Sequence, residues 1–335
     1  TADKRRQINE ILRYPDDSAG SIMTTEYVDL KKDMVVAEAF AHIRATGLNK
    51  ETIYTCYVTD ENRMLLGLVT VRTMLLSEAS RGIEDIMETN IIFARTLDDR
   101  EDVAKQFDKY GFLALPVVDQ ENRLVGIVTF DDAMDVIQEE AEEDFEKMAA
   151  MSPSEESYFK TSVFGHAKHR IVWLLVLMLS ATFTGAIITR YEDAFSAIPM
   201  LVAFIPMLMD TGGNCGSQTS TMVIRGMALD EIRLKDFFKV LFKEFRISLV
   251  VGVALAIVNF IRVYIMYHDV AIGFVTGLSL IGAVIIAKLL GCILPMTAKK
   301  LKLDPAIMAS PIITTIVDAC SVFLYFNIAV HVLNL

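Results

Sequence analysis

Five apolar runs fill the carboxyl-terminal half of the chain, at residues 171–189, 195–224, 247–267, 270–296 and 306–335. Each reaches or approaches the ~20 residues that a helix needs to cross the hydrocarbon core of a bilayer. Backbone amides find no water there, so the expected fold of this half is an all-α membrane domain of five transmembrane helices. Basic residues sort between the runs. Lys168 and Arg170 precede the first, Arg225, Arg233, Lys235, Lys239, Lys243 and Arg246 separate the second from the third, and Lys299, Lys300 and Lys302 separate the fourth from the fifth. The other two connections carry Glu192-Asp193 and His268-Asp269. Positive residues favour the cytoplasmic side, which puts the amino-terminal half in the cytoplasm and the carboxyl terminus outside. The connection over 227–246 reads as an amphipathic helix on the cytoplasmic membrane surface, with Phe237, Phe238, Leu241 and Phe245 dipping in.

Charge divides the chain at the same place. Residues 1–166 hold 18 Lys and Arg against 33 Asp and Glu, residues 167–335 hold 14 against 10, and the net of −11 splits into −15 and +4. An acidic soluble half argues against nucleic acid, whose phosphates demand a basic face, and suits cations. Cys56, Cys215, Cys292 and Cys320 are scattered, three of them in apolar segments, and read as small hydrophobes rather than a disulfide framework. The chain opens at Thr1 with no Met and no signal peptide, and reads as a piece of a longer protein. Residues 1–20, with periodic Ile8, Ile11 and Leu12 and a closing turn at Tyr14-Pro-Asp-Asp-Ser-Ala-Gly20, look like the remnant of a helical amino-terminal domain.

Residues 21–138 repeat internally. Asp60-Glu-Asn-Arg-Met-Leu-Leu-Gly-Leu-Val-Thr70 matches Asp119-Gln-Glu-Asn-Arg-Leu-Val-Gly-Ile-Val-Thr129 at a constant offset of 59. Each copy has a lead-in (Ile22-Met23-Thr24 or Ile86-Met87-Glu88), an amphipathic helix, two apolar strands joined by a polar turn, and a further helix. That order predicts hairpins with helices over one sheet face. Two copies in register, ending at Gly67 to Thr70 and Gly126 to Thr129, resemble a tandem pair of CBS modules, a fold that usually senses a ligand rather than catalysing. The modules are expected over 21–82 and 83–138. In many such modules an Asp three residues past the terminal Thr binds a nucleotide ribose. Asp132 fits and Thr73 does not, so the pair has one candidate adenine-nucleotide site, with ATP as the ligand to test and an N-cap role for Asp132 as the alternative.

An acid-rich helix follows, with Asp131, Asp132, Asp135, Glu139, Glu140, Glu142, Glu143, Asp144 and Glu146 interleaved with Val136, Ile137, Phe145 and Met148. At helical spacing Asp135, Glu139 or Glu140, and Glu143 or Asp144 share one face. Such a ladder is either a solvated surface or a set of carboxylates whose repulsion cations relieve.

The membrane half carries polar groups of its own. An acid at bilayer depth costs roughly 2.5–3.5 kcal/mol on insertion scales and seldom faces lipid. Asp318 lies in the fifth run with Thr314 and Thr315 at helical spacing, and either faces a cavity, partner or cation or is a hydrogen-bonded packing acid. Pro305 and Pro311 are expected to free carbonyls toward an ion. The second run contains Met209-Asp-Thr-Gly-Gly-Asn-Cys-Gly-Ser-Gln-Thr-Ser-Thr221, too polar for lipid and too rich in Gly for an undisturbed helix, so irregular backbone is expected there. Gly212, Gly213 and Gly216 permit close approach, either for helix packing alone or beside oxygens from Asp210, Asn214, Gln218 and Thr219. Oxygen donors without thiolate or imidazole suit a hard cation, and Mg2+, which holds its waters tightly, would be recognised hydrated.

Together these motifs resemble the MgtE-type magnesium channels along essentially the whole chain. The resemblance rests on Tyr14-Pro-Asp-Asp-Ser-Ala-Gly-Ser-Ile-Met23, the paired modules, Glu139-Glu-Ala-Glu-Glu-Asp144, Gly212-Gly-Asn-x-Gly-x-Gln218, Asp304-Pro-Ala306 and Thr314-Thr-x-x-Asp318. It implies a homodimer forming one pore in a bacterial plasma membrane, with Asp318 binding hydrated Mg2+ and Asn214 near the pore, beside which Gly213, Thr314 and Thr315 are pore candidates by their place next to those two residues. It also implies that residues 139–166 form a plug helix. Mg2+ bound among Asp135, Glu140, Glu143 and Asp144, Asp304, and the CBS acids Asp99 and Glu101 would hold the pore shut. Most of the family's helical amino-terminal domain is absent from the sequence, so regulatory sites shared with it would be incomplete.

The expected fold class is therefore an α+β cytoplasmic CBS pair joined by a plug helix to an all-α membrane domain over 167–335. The expected function is Mg2+ uptake through a channel gated by cytoplasmic Mg2+. The alternative is a coupled carrier for another divalent or an organic cation, regulated by a nucleotide-sensing CBS pair. An enzyme is not expected. Intramembrane zinc proteases also carry CBS pairs, but they require His-Glu-x-x-His on a span, and His166-Ala-Lys-His169 offers two imidazoles beside the membrane.

Overall fold

The computed structural model of the chain describes residues 11–154 and 158–334, without the side chains of residues 193–195 and 310. The first half of the helix expected over 1–20, with Ile8, lies outside the described residues. Two compact units divide the chain, Thr1–Ala141 and Glu142–Leu335.

In the first unit the sequence repeat becomes two matching three-stranded sheets. β1 (Val28–Lys31) runs parallel to β2 (Thr55–Thr59), which turns back antiparallel into β3 (Leu65–Thr70). β4 (Ala94–Arg95), β5 (Ala114–Val118) and β6 (Leu124–Thr129) repeat the arrangement, down to an irregularity at Val58/Thr59 and its counterpart at Val117/Val118. The shared turn explains the likeness. Asp60 Oδ1 accepts from the amides of Asn62 and Met64, both at 2.8 Å, and Asp119 Oδ1 accepts from those of Glu121 at 3.0 Å and Arg123 at 2.8 Å. A short carboxylate bonding to backbone just ahead of it pins a reversal, and Arg63 and Asn122 take the left-handed position at φ 66° and 61°.

The helices of this unit are α1 (Ala19–Ile22), α2 (Val36–Thr46), α3 (Val71–Leu75), α4 (Ile83–Ile86), α5 (Arg100–Tyr110) and the start of α6 (Phe130–Met148). α2 buries Val36, Ala39 and Ile43 against the first sheet, and α5 buries Val103, Ala104 and Phe107 against the second. The lead-ins cross over. Ala19 and Met23, ahead of the first sheet, belong to the core of the second, while Ile83, Ile86 and Met87, ahead of the second sheet, pack in the core of the first. Thr24 exchanges backbone hydrogen bonds with Ile127 at 2.8 and 2.9 Å, and Glu88 with Leu68 at 2.8 and 3.0 Å. The glycines of the repeat make room for this, since a Cβ at Gly126 would stand 2.7 Å from Met23 Sδ and one at Gly67 2.8 Å from Met87 Sδ.

The second unit takes in the end of α6, then α7 (Val163–Arg190), α8 (Glu192–Ala197), α9 (Ile205–Ala228), α10 (Phe237–Tyr267), α11 (Val270–Lys300) and α12 (Ser310–Leu333). Among the described residues four helical segments are long and apolar enough to cross a membrane: Val163–Arg190, Leu234–Tyr267, Val270–Lys300 and Pro305–Leu333. α9 is long enough but carries the polar segment 210–221. Its core side chains Leu208 and Ile205 meet Val275 and Leu280 of α11 and Val322, Tyr325 and Phe326 of α12. α7 has Thr184 as its buried residue and meets α12, where Tyr191 stacks on Phe326 at 5.1 Å and its hydroxyl accepts from Asn327 Nδ2 at 3.0 Å.

Four sequence expectations fail here. Residues 139–166 do not form the single plug helix expected, because α6 ends at Met148, just before Ala150 turns left-handed at φ 53°, and α7 begins only at Val163. The segment 209–221 is not irregular; it lies inside the continuous helix α9. With water excluded, the backbone satisfies itself best as helix, and the glycines serve packing rather than unwinding. No separate surface helix forms over 227–246, because residues from Phe237 onward are the first turns of α10, and Phe237 and Leu241 pack beside Val223, Met227, Cys292 and Met296. Pro305 and Pro311 start helical segments instead of interrupting one, where a missing amide costs nothing.

Candidate ion site

α9 and α12 enclose a cleft of about 200 Å3 lined by Met209, Asp210, Gly213, Asn214, Thr314 and Asp318. Glycine is what lets the two helices meet there. A Cβ at Gly212 would lie 2.9 Å from Val317 Cγ1, one at Gly216 2.7 Å from Ile313 Cγ2, and one at Gly213 3.0 Å from Thr314 Cγ2 and 3.8 Å from Asp318 Oδ1. The half-buried Asp318 thus faces the bare backbone of α9, with Asp210 and Asn214 on the same cleft wall. Thr314 and Thr315 both donate to the Pro311 carbonyl, at 3.0 and 2.9 Å, so that oxygen is occupied rather than freed. Of the residues expected at the pore, Asp318, Asn214, Thr314 and Gly213 come together, and Thr315 does not line the cleft. Gln218 and Thr219 lie beyond it.

Thr219 belongs instead to a buried polar cluster that sequence reading passed over. Lys288 Nζ of α11 donates to Thr219 Oγ1 at 3.2 Å, Thr219 Oγ1 donates to Glu244 Oε2 of α10 at 3.0 Å, and the ammonium and carboxylate stand 3.8 Å apart. A lone Lys in the fourth apolar run was the available signal, because an ionisable group at that depth requires a partner. The cluster sits beside a close crossing of α9 and α11, where a Cβ on Gly291 would come within 2.5 Å of the Gly216 carbonyl oxygen.

Outside the spans, most of the candidate regulatory acids are engaged within their own unit. Asp99 Oδ1 caps α5 by accepting from Glu101 N at 2.8 Å, and Glu101 pairs with Lys105 at 2.7 Å. Arg100 bridges Glu139 at 3.1 Å and Glu140 at 3.0 Å. Nearer the end of α6, Lys147 pairs with Glu143 and, at 2.7 Å, with Asp304, whose other oxygen accepts from Ala306 N at 2.8 Å. Burial works to lower the Lys147 pKa, but the hydrogen bonds to Asp304 and Glu143 outweigh it and raise the value above that of an ordinary lysine. Asp135 and Asp144 stand on the same helix. Among the described residues no three His, Cys, Asp or Glu side chains converge as a metal-binding group. In the second module Asp132 lies inside the first turn of α6 rather than at its N-cap, and its Oδ2 accepts from Thr129 Oγ1 at 2.6 Å.

Comparison with known proteins now bears on this geometry. The MgtE family profile, described as a divalent cation transporter, matches residues 205–328, and the CBS domain profile matches 19–79 and 83–139. The magnesium transporter MgtE of Bacillus subtilis is 37% identical over 328 residues, 98% of this chain and 72% of that protein. The magnesium transporter MgtE of Thermus thermophilus is 34% identical over 325 residues, 97% of this chain and 72% of that protein. A crystal structure of the cytosolic domain of the Mg2+ channel MgtE in complex with ATP aligns with a TM-score of 0.40 at 39% identity, covering 41% of this chain and 55% of that one. The two curated relatives are named as magnesium transporters. A CBS pair followed by an all-helical region with several apolar spans, matched along almost its full length, makes this chain a member of the MgtE family of magnesium transporters.

Proposed function

We propose that the chain is one subunit of a Mg2+-selective uptake channel, and that the cleft between α9 and α12 is its ion path. The cleft itself carries the reading. Two carboxylates, an amide and a hydroxyl surround about 200 Å3, on the order of six waters at roughly 30 Å3 each. Mg2+ sheds water reluctantly, and oxygens spread over two helices suit hydrogen bonds to a hydrated ion. Asp318 supplies charge, Asn214 and Thr314 orient the water shell, and Gly213 keeps α12 close. A second copy of the chain closes the cleft into a pore, so the unit is a homodimer. α9 is the second of five spans, joining the four apolar ones, because its polar face turns to the ion path and not to lipid. In the plasma membrane the amino-terminal modules, 21–82 and 83–138, then lie in the cytoplasm and the carboxyl terminus outside.

Residues 139–166 act as the plug. At low cytoplasmic Mg2+ the acids repel and the plug withdraws; at high Mg2+ the ion bridges among Asp135, Glu140, Glu143, Asp144, Asp304, Asp99 and Glu101 select the closed state. Turning a 1:99 equilibrium into 99:1 takes about 5.5 kcal/mol of differential binding, within reach of several weak divalent sites acting together. Asp132 is the contact for an adenine nucleotide in the second module. The test is current through the chain in a patched membrane as cytoplasmic Mg2+ is stepped upward, with Asp318→Asn alongside. Passive current that closes with rising Mg2+, and that the substitution reduces in a protein still folded, supports the proposal. Ion exchange in place of passive current would support the coupled-carrier reading and overturn the channel.

A further inference from the structure

The amino-terminal end of α10 shows two adjacent exposed stripes of different chemistry. Phe238, Phe242, Phe245 and Leu249 are all exposed, Phe238 at 78% and Phe242 at 62%. At about 100° per residue they fall within an arc of roughly 60°. Lys239, Lys243 and Arg246 fall in the next arc, also roughly 60° wide. None of the three has an ion-pair partner among the described residues, while the one acid of this stretch, Glu244, turns inward to Lys288. Arg246 is held over the Phe242 ring at 6.0 Å from its centroid, which joins the two stripes. The remaining face, with Phe237, Leu241 and Ser248, packs into the bundle.

We infer that this double stripe is a binding site for an anionic phospholipid, the phosphate resting on Lys239, Lys243 and Arg246 and an acyl chain lying along Phe238, Phe242 and Leu249. The pairing of stripes decides the occupant. Three unpaired cations attract a negative headgroup, and aromatic and aliphatic side chains directly beside them fit the chain attached to that headgroup. A second copy of this protein is the wrong partner, because a two-fold interface sets the same patch against itself and would oppose the cations. The inference rests on α10 spanning the membrane and is independent of whether the ion path conducts.

The test uses the full chain in neutral micelles, given phosphatidylglycerol, phosphatidylcholine or inorganic phosphate, and reads retained lipid by native mass spectrometry together with the thermal midpoint. The unmodified chain should retain phosphatidylglycerol in preference to phosphatidylcholine. That preference should fall about five-fold for each cation removed and by well over an order of magnitude in K239Q/K243Q/R246Q. F238A/F242A should weaken retention of phosphatidylglycerol, and K239R/K243R should keep it. Equal retention of the two lipids by the unmodified chain, an undiminished preference in the triple variant, or a midpoint shift with inorganic phosphate as large as that with lipid would overturn the assignment. If the triple variant does not fold, K239Q alone and K243Q alone decide the matter by the same reading. Mg2+ transport, measured separately, tests the channel proposal and leaves this one untouched.

Discussion

Lys288→Met should damage this protein far more than an exchange of one long side chain for another would suggest, because it leaves Glu244 as an isolated charge among α9, α10 and α11. The side chains of Lys288 and Glu244 are 7% and 14% exposed and their charges are 3.8 Å apart. At an effective dielectric of about 20 that separation corresponds to an attraction of ~4 kcal/mol. Breaking a buried pair from one side costs about 3–5 kcal/mol, since the stranded charge keeps its desolvation penalty. Glu244→Leu strands Lys288 in the same way and should cost as much. The double variant, K288M/E244L, removes both charges and puts apolar volume where the pair stood, so it should cost less than either single change, about 1 kcal/mol or below. Denaturant unfolding of the full chain in micelles, run as a double-mutant cycle, measures this directly. Single-variant losses that simply add in the double variant, or a Lys288→Met protein as stable as the unmodified one, would refute the argument that the charges hold each other in place.

Neutralising Glu140, Glu143 and Asp144 to Ala should leave current flowing at high cytoplasmic Mg2+; a triple variant that still closes normally would remove the plug acids from the gating scheme. Gly291→Ala should destabilise the bundle by about 1–3 kcal/mol, because its Cβ would meet the Gly216 carbonyl oxygen at 2.5 Å and backbone cannot move aside; an unchanged thermal midpoint would contradict that crossing. Burial pushes the Cys56 thiol from 9.0 up to about 12. The stability this contributes is fully present below pH 9 and is lost as pH rises toward 12. The unfolding midpoint should therefore fall from pH 9 upward, and Cys56→Ala should flatten the decline.

Local signals carried well from sequence to structure and long-range ones did not. The offset of 59 residues foretold matching sheets because its key element, an Asp that bonds to backbone within the next few residues, is complete inside one turn. Asp318 and the polar segment around Asn214 were visible since polar groups stand out against apolar runs. Their backbone was misread, because glycine weakens a helix in water, whereas in a packed apolar setting it allows contact between helices. The Lys288–Glu244 pair joins residues 44 positions apart on different helices, and nothing local to either names the other. A repeat likewise says that two copies exist without saying which sheet each lead-in will join.

The crossed lead-ins give the amino-terminal unit a property that its repeat does not advertise. Severing the chain after residue 82 would take Met23 from the core of the second sheet and Met87 from beside the first, so neither copy is a whole body without the other. Tension applied to either lead-in is borne by both hydrophobic cores at once, and the tandem should yield in a single step, like a knot with no loose half.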